Sequence, residues 1–465
     1  MSAVGFAAEK TGVFCILKAL LLAKLAIWLN LRRFFSHLAK NFDIQNSNQY
    51  PIPIRSRQKF NAGLCLITME QTLSYVIVTP YTIAKSRTGG VLSRLLSRLD
   101  LELVGAQMVA PDEDFVREYA ASLRSQDQRN LNSAGELLAN YIESNLRPSG
   151  GRRHRLLLLV FKGENTCRKL SDVCGPLFPD TMKIEALTGE TIRDTYADII
   201  SDPDNPQKII HVEPAILTPR RDVLAKEGLT LFARHFRKYE NIVNNMSYPD
   251  PSKVERTLVI LKPDNWNYAS SKPGTIIDMF SRTGLRIVGI KVFRFSLNQA
   301  LEFYGPVEQS LKKKLAPVFG QKAKELLEKE FALTFNLDIG KVLSDSFGQE
   351  CAEEQFRKII DFMSGRRPDT CPPGDEDKPG NVKCMILVYE GENAIQKIRD
   401  VLGPTDPLQA PQGTVRREFG SNVMVNAAHA SDSRESYERE SKIVKVDENP
   451  LLSIIEEYLE NAPAE

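Results

Sequence analysis

The sequence is poor in histidine and cysteine, which number five and seven among 465 residues. The cysteine count is odd and no Cys-x-x-Cys pair occurs, which argues against a disulfide framework and a Cys/His zinc site. The formal net charge is only +2, so no overall field attracts nucleic acid or an anionic membrane. The P-loop motif is also absent, which excludes that class of kinase. We expect a reducing, cytoplasmic location and no specific nucleic-acid partner.

The length of the chain is two to three times that of a typical domain, so we expect two or three domains. Apolar residues make up 42% of the sequence and charged residues 26%, and both values are ordinary for a globular protein. Collagen-like, wholly disordered and polytopic membrane proteins are therefore excluded as classes.

The first 40 residues differ from the rest of the chain. They carry six lysines and arginines against one glutamate, around an apolar run at 13–31. Lys18 and Lys24 interrupt this run, so a membrane-spanning helix is not indicated. Two interpretations of the tail stay open: contact with an anionic membrane surface, or upstream sequence that is not part of the mature protein.

The chain contains an internal repeat. Residues 86–109 and 270–293 align without gaps, and glycine falls on glycine at two positions. Each copy follows a strand-like run and continues as an amphipathic helix and a strand. A second matching pair, 159–165 and 387–393, is followed by Gly-Pro in both copies. A repeat of this length indicates two duplicated domains rather than a solenoid.

The second copy is longer than the first by about 44 residues between the two matching stretches, which places an insertion at about 310–351. This segment is rich in helix formers with apolar residues at helical spacing, so it predicts helices. It could act as a lid, an interdomain brace or a brake. A further excess at 366–381 is rich in proline, glycine and aspartate and predicts an exposed loop.

Residues 426–433 bring a histidine together with small residues and residues that begin helices. The segment reads Asn-Ala-Ala-His-Ala-Ser-Asp-Ser. A histidine just before a helix N-terminus lies among free backbone N–H groups that suit an anion. Neutral imidazole is also a nucleophile that can take up a phosphoryl group. On residue type alone, a loop histidine packed against a helix start is the favoured interpretation of His429.

Cationic residues elsewhere in the second copy favour the phosphoryl interpretation. Lys262 ends the first strand of this copy, Arg399 follows its central strand, and Thr405 and Arg416 follow the Gly-Pro turn. Phosphoryl transfer requires that negative charge on the phosphate oxygens be neutralised, and the planar arginine fork does this well.

At these residues the sequence resembles the nucleoside diphosphate kinase family, whose active-site signature is similar to the segment NAAHASD at 426–432. The resemblance extends to residues 256–264, which are similar to the first strand of the family, and to 387–393, which are similar to its central strand. It implies a ferredoxin-like fold of the α/β (α+β) class, in which an antiparallel sheet is flanked by helices.

The resemblance also implies a catalytic scheme. His429 would be phosphorylated by a nucleoside triphosphate, with Glu440 orienting its ring. Lys262 and Asn426 would contact the ribose hydroxyls and the transferring phosphate. The phosphoryl group would then pass to a nucleoside diphosphate, so the reaction would be of the ping-pong type. Magnesium would bridge the phosphates rather than bind in a protein cage.

Further residues are implied in nucleotide binding. The phosphates would be held by Arg399, Thr405 and Arg416, with Tyr304 near the γ-phosphate. The base would lie between Phe356 and Val423, which stack without reading hydrogen-bonding groups. Self-association through domains of this type is expected as well. The alternative function is a catalytically silent nucleotide-binding scaffold.

The first copy lacks most of the phosphate-binding residues, although Arg193 falls in the register of Arg416. Thr79 stands where the second copy has Lys262, and no arginine matches Arg399. His211 falls near the register of the active histidine, without the residues that would start a helix after it. We therefore interpret the first copy as degenerate, with no function assigned to His211.

The expected organisation has three parts: a tail and linker at 1–68, a degenerate domain at 69–245, and a kinase domain with the helical insertion at 253–465.

Overall fold

The computed structural model of the chain describes residues 71–125, 134–150, 152–177, 189–205, 209–244 and 246–461. The basic tail and linker at 1–68 lie outside these residues. Within the described part of the chain, no helix is both long and apolar enough to cross a membrane.

Ten strands are described. Their bounds are β1 Gln71–Val78, β2 Glu102–Val109, β3 Leu156–Glu164, β4 Asp198–Ser201, β5 Ile209–Glu213, β6 Ile216–Leu217, β7 Val254–Leu261, β8 Arg286–Phe293, β9 Cys384–Glu392 and β10 Ala428–Ala430.

The helices of the first half are α1 Pro80–Ala84, α2 Thr88–Arg98, α3 Glu113–Ser125, α4 Ala134–Asn145, α5 Thr166–Cys174, α6 Ile192–Tyr196 and α7 Asp222–Phe236. Those of the second half are α8 Lys272–Ser281, α9 Leu297–Phe331, α10 Leu337–Leu343, α11 Gln349–Ser364, α12 Ala394–Leu402, α13 Val415–Phe419, α14 Arg434–Ile443 and α15 Leu451–Asn461.

Two four-stranded antiparallel sheets form the centre of the fold. The first has the strand order β2-β3-β1-β6 and the second has the order β8-β9-β7-β10. In each sheet the first and third long strands are the central pair and the last, short strand lies at an edge. This is the ferredoxin-like order, so the predicted fold class is confirmed. The hairpin β4-β5 forms a separate two-stranded sheet.

Local backbone features recur at matching places in the two sheets. A register shift falls between Leu103 and Gly105 in β2 and between Ile287 and Gly289 in β8. The residues before α5 and α12, Asn165 and Asn393, both lie in the left-handed region, with φ of 53° and 54°. Such positions favour asparagine and glycine, so the sequence repeat has a structural counterpart.

Three apolar clusters hold these elements together. One combines residues from one face of each sheet with residues of helices α2 and α8, which pack on each other. A second covers the other face of the first sheet with α3, α4, α7 and α15. The third covers the other face of the second sheet with α9 and α11. The C-terminal helix α15 therefore packs on the first sheet, although it follows the last strand of the second.

The helices α2 and α8 cross closely because glycine lies at the crossing point. A Cβ atom on Gly89 would lie 2.5 Å from the backbone nitrogen of Asp278 and 2.6 Å from the carbonyl oxygen of Gly274. Backbone atoms cannot move aside as a flexible side chain can. The contact between the two halves of the chain therefore requires glycine at this position.

The inserted segment at about 310–351 falls within the end of α9, all of α10, a five-residue π-helical turn and the start of α11. Helix α9 is 35 residues long and contains Pro306 and Pro317. The pattern of helix formers therefore agrees with the structure of this segment. Residues 366–381 form turns and bends between α11 and β9.

We expect Gly89→Ala to lower the free energy of unfolding by about 2 kcal/mol, because the added methyl overlaps backbone atoms at the crossing. Gly305→Ala in α9 is the matched control, since a Cβ there meets no atom within 4 Å. That change should leave stability equal or raise it by about 0.5 kcal/mol. Urea denaturation of both variants measures the difference, and equal stability of the two would show that the crossing is not tight.

Candidate active site

His429 lies on the edge strand β10, opposite Ile260 of β7. Its ring meets that of Phe303 on α9 edge to face, with centroids 5.1 Å apart and planes at 74°. The histidine side chain is 23% exposed. The ring is therefore held by the sheet and by α9 while it remains accessible.

A buried carboxylate fixes the orientation of this ring. Nε2 of His429 lies 2.9 Å from Oε2 of Glu440, which is on α14 and only 4% exposed. The hydroxyl of Ser431 donates to the same oxygen at 2.7 Å. An ionised carboxylate only accepts hydrogen bonds, so Nε2 carries the proton and the lone pair lies on Nδ1.

Helix α14 places Glu440 through its own N-cap. The hydroxyl of Ser433 accepts a hydrogen bond from the backbone N–H of Ser436 at 3.1 Å. Serine is among the preferred residues at this position, because its oxygen satisfies a backbone donor that has no partner within the helix. The helix therefore starts at a fixed residue after β10. This start places the carboxylate of Glu440 beside the ring of His429.

Lys262 directly follows β7, and its side chain reaches the loop before β10. Its Nζ donates to Oδ1 of Asn426 at 2.6 Å and to the carbonyl of Met424 at 3.2 Å. Burial, with a contribution from the neighbouring Arg416, lowers the pKa of Lys262 from its ordinary value of 10.5 to about 8. Lys262 is a cation that a bound anion would stabilise.

Two arginines approach the same segment from other elements. Arg416 on α13 donates to the carbonyls of Gly403 at 2.9 Å and Ala428 at 3.1 Å. Arg399 on α12 donates to the carbonyl of Asp432 at 3.1 Å. Burial and the charge of Arg399 lower the pKa of Arg416 to about 10. Three cations therefore converge on residues 424–432.

Asn426 and Tyr304 are the other predicted polar groups. The amide nitrogen of Asn426 donates to the carbonyls of Thr405 at 3.0 Å and Val423 at 2.9 Å. The hydroxyl of Tyr304 is buried without a hydrogen-bond partner among the described residues, and burial raises its pKa. Thr405 is exposed and directly follows the Gly-Pro turn.

The two residues expected to enclose a base differ in exposure. Val423 is 60% exposed, in the loop before β10. Phe356 is 5% exposed and packs in the cluster of α9 and α11, with Ile360 and Met363. The structure leaves Val423 open to a ligand and covers Phe356 with protein, so stacking on Phe356 stays a prediction.

Two residues at the site were not singled out from the sequence. Ser431 shares the carboxylate oxygen of Glu440, and Phe303 packs against the ring of His429. The alternation of side chains along a strand was an available signal for Ser431, because residues two apart point to the same face. Phe303 gave no such signal, since its contact depends on how α9 packs.

The first sheet holds different residues at the equivalent positions. Leu217 of β6 pairs with Ile77 of β1, as His429 pairs with Ile260. The prediction that His211 lies near this register is therefore wrong: His211 is on β5, in a hairpin that adds residues before β6. In the second half, Glu440 comes eleven residues after His429. Eleven residues after Leu217 the first half has Gly228, and the hydroxyl of Tyr75 occupies the space where a side chain would begin.

Comparison with known proteins matches the region that builds this site. The family model described as nucleoside diphosphate kinase matches residues 255–323 and 379–449. The chain is 31% identical over 187 residues to the nucleoside diphosphate kinase of a Nitratiruptor species, covering 40% of this chain and 92% of the relative. The corresponding protein of Halorhodospira halophila is 31% identical and is covered to 89%.

A solved NDP kinase from Pyrobaculum aerophilum is 28% identical, with 41% of this chain and 94% of that chain covered and a TM-score of 0.28. With near-complete coverage of relatives at 31% identity, the chain belongs to the nucleoside diphosphate kinase family. The match omits residues 324–378, which contain most of the inserted segment.

We expect the binding of a polyphosphate to the free protein to weaken above about pH 8, because Lys262 then loses its charge. The apparent second-order rate constant for a nucleoside triphosphate should fall up to about tenfold per pH unit until other groups titrate. Lys262→Arg keeps the charge and should remove this fall, although its rate at pH 7 will be lower. If the rate constant still falls with pH in Lys262→Arg, the titration of another group causes the fall.

Unfolding does not account for this pH dependence. Since the pKa of Lys262 is lower in the folded protein than in the unfolded chain, the unfolded chain binds more protons between about pH 8 and 10.5. The contribution of this group to stability therefore rises with pH over that window. Thermal denaturation at pH 7.5 and 9 of wild type and Lys262→Met separates the two effects.

Proposed function

We propose that the protein is a nucleoside diphosphate kinase that carries the phosphoryl group on His429. The observation that supports this most is the arrangement around the ring: Glu440 holds Nε2, the lone pair lies on Nδ1, and three cations converge on the same segment. A nucleophile with a fixed tautomer beside positive charge is what phosphoryl transfer needs.

The steps follow from these positions. The Nδ1 lone pair attacks the γ-phosphorus, and the bond from that phosphorus to the bridging oxygen breaks. The electron pair leaves on the nucleoside diphosphate, and Arg399, Arg416 and Lys262 neutralise the charge that develops on the oxygens. Glu440 stabilises the positive charge that the imidazole acquires. An acceptor diphosphate then takes the phosphoryl group by the reverse step.

Magnesium fits this site only when it is bound to a nucleotide. Lys262, Arg399 and Arg416 suit phosphate oxygens, and their charges repel a free divalent cation. Magnesium bound to the phosphates would neutralise charge on the β- and γ-phosphate oxygens. The chain would hold the phosphates, and through them the metal.

The division of the chain into a degenerate domain at 69–245 and a kinase domain at 253–465 is likewise our proposal. The shared strand order and the leucine and glycine at the positions of His429 and Glu440 support it. Since α2 packs on α8 within one chain, a contact between two domains of this type is made internally. A cytoplasmic location and self-association between chains stay predictions.

A nucleotide-binding scaffold without turnover is the second candidate. The burial of Phe356 bears on both candidates alike, because a covered aromatic ring is not available to stack a base. All the charged residues of the site are nevertheless present in the second half of the chain.

The experiment mixes the purified protein with Mg-ATP labelled on the γ-phosphate and then adds unlabelled GDP. We expect an acid-labile, base-stable phosphoprotein whose label leaves as GTP. His429→Asn should take up no label, whereas the matched control His211→Asn should behave as wild type. Binding of ADP without labelling would favour the scaffold, and label retained by His429→Asn would overturn the assignment of the nucleophile.

A further inference from the structure

Lys291 is a charged side chain buried in the second half of the protein. It lies in the middle of β8 and is only 2% exposed. The phosphoryl-transfer scheme gives it no role. Burying a cation is costly unless hydrogen bonds compensate, so its partners indicate what it does.

Its three partners are backbone carbonyls in one turn. The Nζ of Lys291 donates to the oxygens of Val444, Lys445 and Glu448 at 2.7, 2.6 and 2.9 Å. Three acceptors require three N–H donors, and only the charged ammonium group has them. Lys291 therefore binds this turn as a cation.

The turn follows directly on the helix that carries Glu440. Helix α14 ends at Ile443, and the N–H of Val444 still donates to the carbonyl of Glu440 at 3.0 Å. The carbonyls at a helix C-terminus lack partners within the helix and attract positive charge. Lys291 binds the carbonyl of Val444, the C-cap residue of α14, and two carbonyls in the turn beyond it.

The backbone of the turn is held in an uncommon conformation. Lys445 has φ of 50°, in the left-handed region that residues other than glycine and asparagine rarely adopt. Such a conformation persists where surrounding contacts fix it. The bond from Lys291 to the carbonyl of Lys445 is one of these contacts.

The other side of the turn is fixed at the junction of the two sheets. The amide nitrogen of Asn449 donates to the carbonyl of Ala106 in β2 at 2.9 Å and to the side-chain oxygen of Asn241 at 2.8 Å. Asn241 in turn donates to the carbonyl of Val446 at 2.7 Å. Leu451, two residues further, packs against Gly105 of β2.

We propose that Lys291 and Asn449 are positioning residues for the His429–Glu440 pair, because they fasten the turn after α14 to both sheets. The first half of the chain, which lacks the catalytic residues, thereby helps to hold the carboxylate that orients the histidine. This inference rests on the proposed function, since it assigns a role to the junction in the same reaction.

The test compares Lys291→Met with wild type by the rate of His429 phosphorylation and by the affinity for Mg-ADP. Methionine keeps much of the volume and removes all three donors. We expect phosphorylation to slow by at least about tenfold, since small misplacements of catalytic groups are costly, with the Mg-ADP affinity changed less than about twofold. An unchanged rate would overturn the proposal.

The matched control is Lys383→Met. Lys383 is also a largely buried lysine at the junction, with a side chain 15% exposed and a bond to the carbonyl of Leu103 at 3.2 Å. It makes no bond to the turn at 444–448 among the described contacts. We expect its phosphorylation rate to stay within about twofold of wild type. An equal loss in both variants would indicate general destabilisation and contradict the proposal.

A double variant separates positioning from stability. If Lys291 acts through Glu440, Lys291→Met should slow phosphorylation little further when Glu440→Gln is already present. A merely structural role predicts that the two losses multiply. Multiplied losses would therefore overturn the assignment.

Amide hydrogen exchange tests the geometry independently of turnover, with Asn449→Ala as a milder second variant. Loss of either anchor should speed exchange at 440–446 by about tenfold and leave β7 protected. If the wild-type protein takes up no phosphate label, the proposed function fails. The exchange result would still decide whether Lys291 and Asn449 hold the turn after α14. Unchanged exchange in both variants would contradict it.

Discussion

The hydrogen bond between Glu440 and His429 is the contact on which the proposed chemistry of this protein depends. It buries a carboxylate, fixes the histidine tautomer and leaves the lone pair on Nδ1. A hydrogen bond to a charged group typically contributes about 1.5–3 kcal/mol. The surrounding structure has to hold His429 on a strand and Glu440 on a helix at hydrogen-bonding distance, although the two are eleven positions apart in the sequence.

Several elements share that task. The edge strand β10 presents the histidine, the cap at Ser433 starts α14, and Lys291 binds three carbonyls of the turn that follows α14. The helix is therefore fixed at both ends, and its C-terminal anchor reaches the first sheet. In the proposed division of the chain, this gives the first half a physical reason to stay attached to the second.

Much of the site could be predicted from the sequence because its residues lie in short, contiguous stretches. His429, Asn426 and Glu440 fall within 15 residues, and Lys262 marks the end of a strand whose apolar run is plain. The helical character of the insertion follows from the spacing of apolar residues, whereas the ferredoxin-like fold was implied by the resemblance to the kinase family. These are local properties of the chain.

Other features depend on how the elements pack and could not be predicted from the sequence. The burial of Phe356 follows from the long helices α9 and α11, and the false register of His211 arose because β4 and β5 add a hairpin. The role of Lys291 leaves no trace in the side-chain pattern, since all its acceptors are backbone carbonyls. Sequence reasoning finds partners among side chains far more easily than among carbonyls.

The most direct measurement of the central claim is the position of the phosphoryl group on the ring, determined by ¹H–¹⁵N NMR of the phosphorylated protein labelled with ¹⁵N-histidine. Because Glu440 occupies Nε2, the phosphoryl group should be found on Nδ1 of His429. A phosphoryl group on Nε2, or on another histidine, would contradict the account.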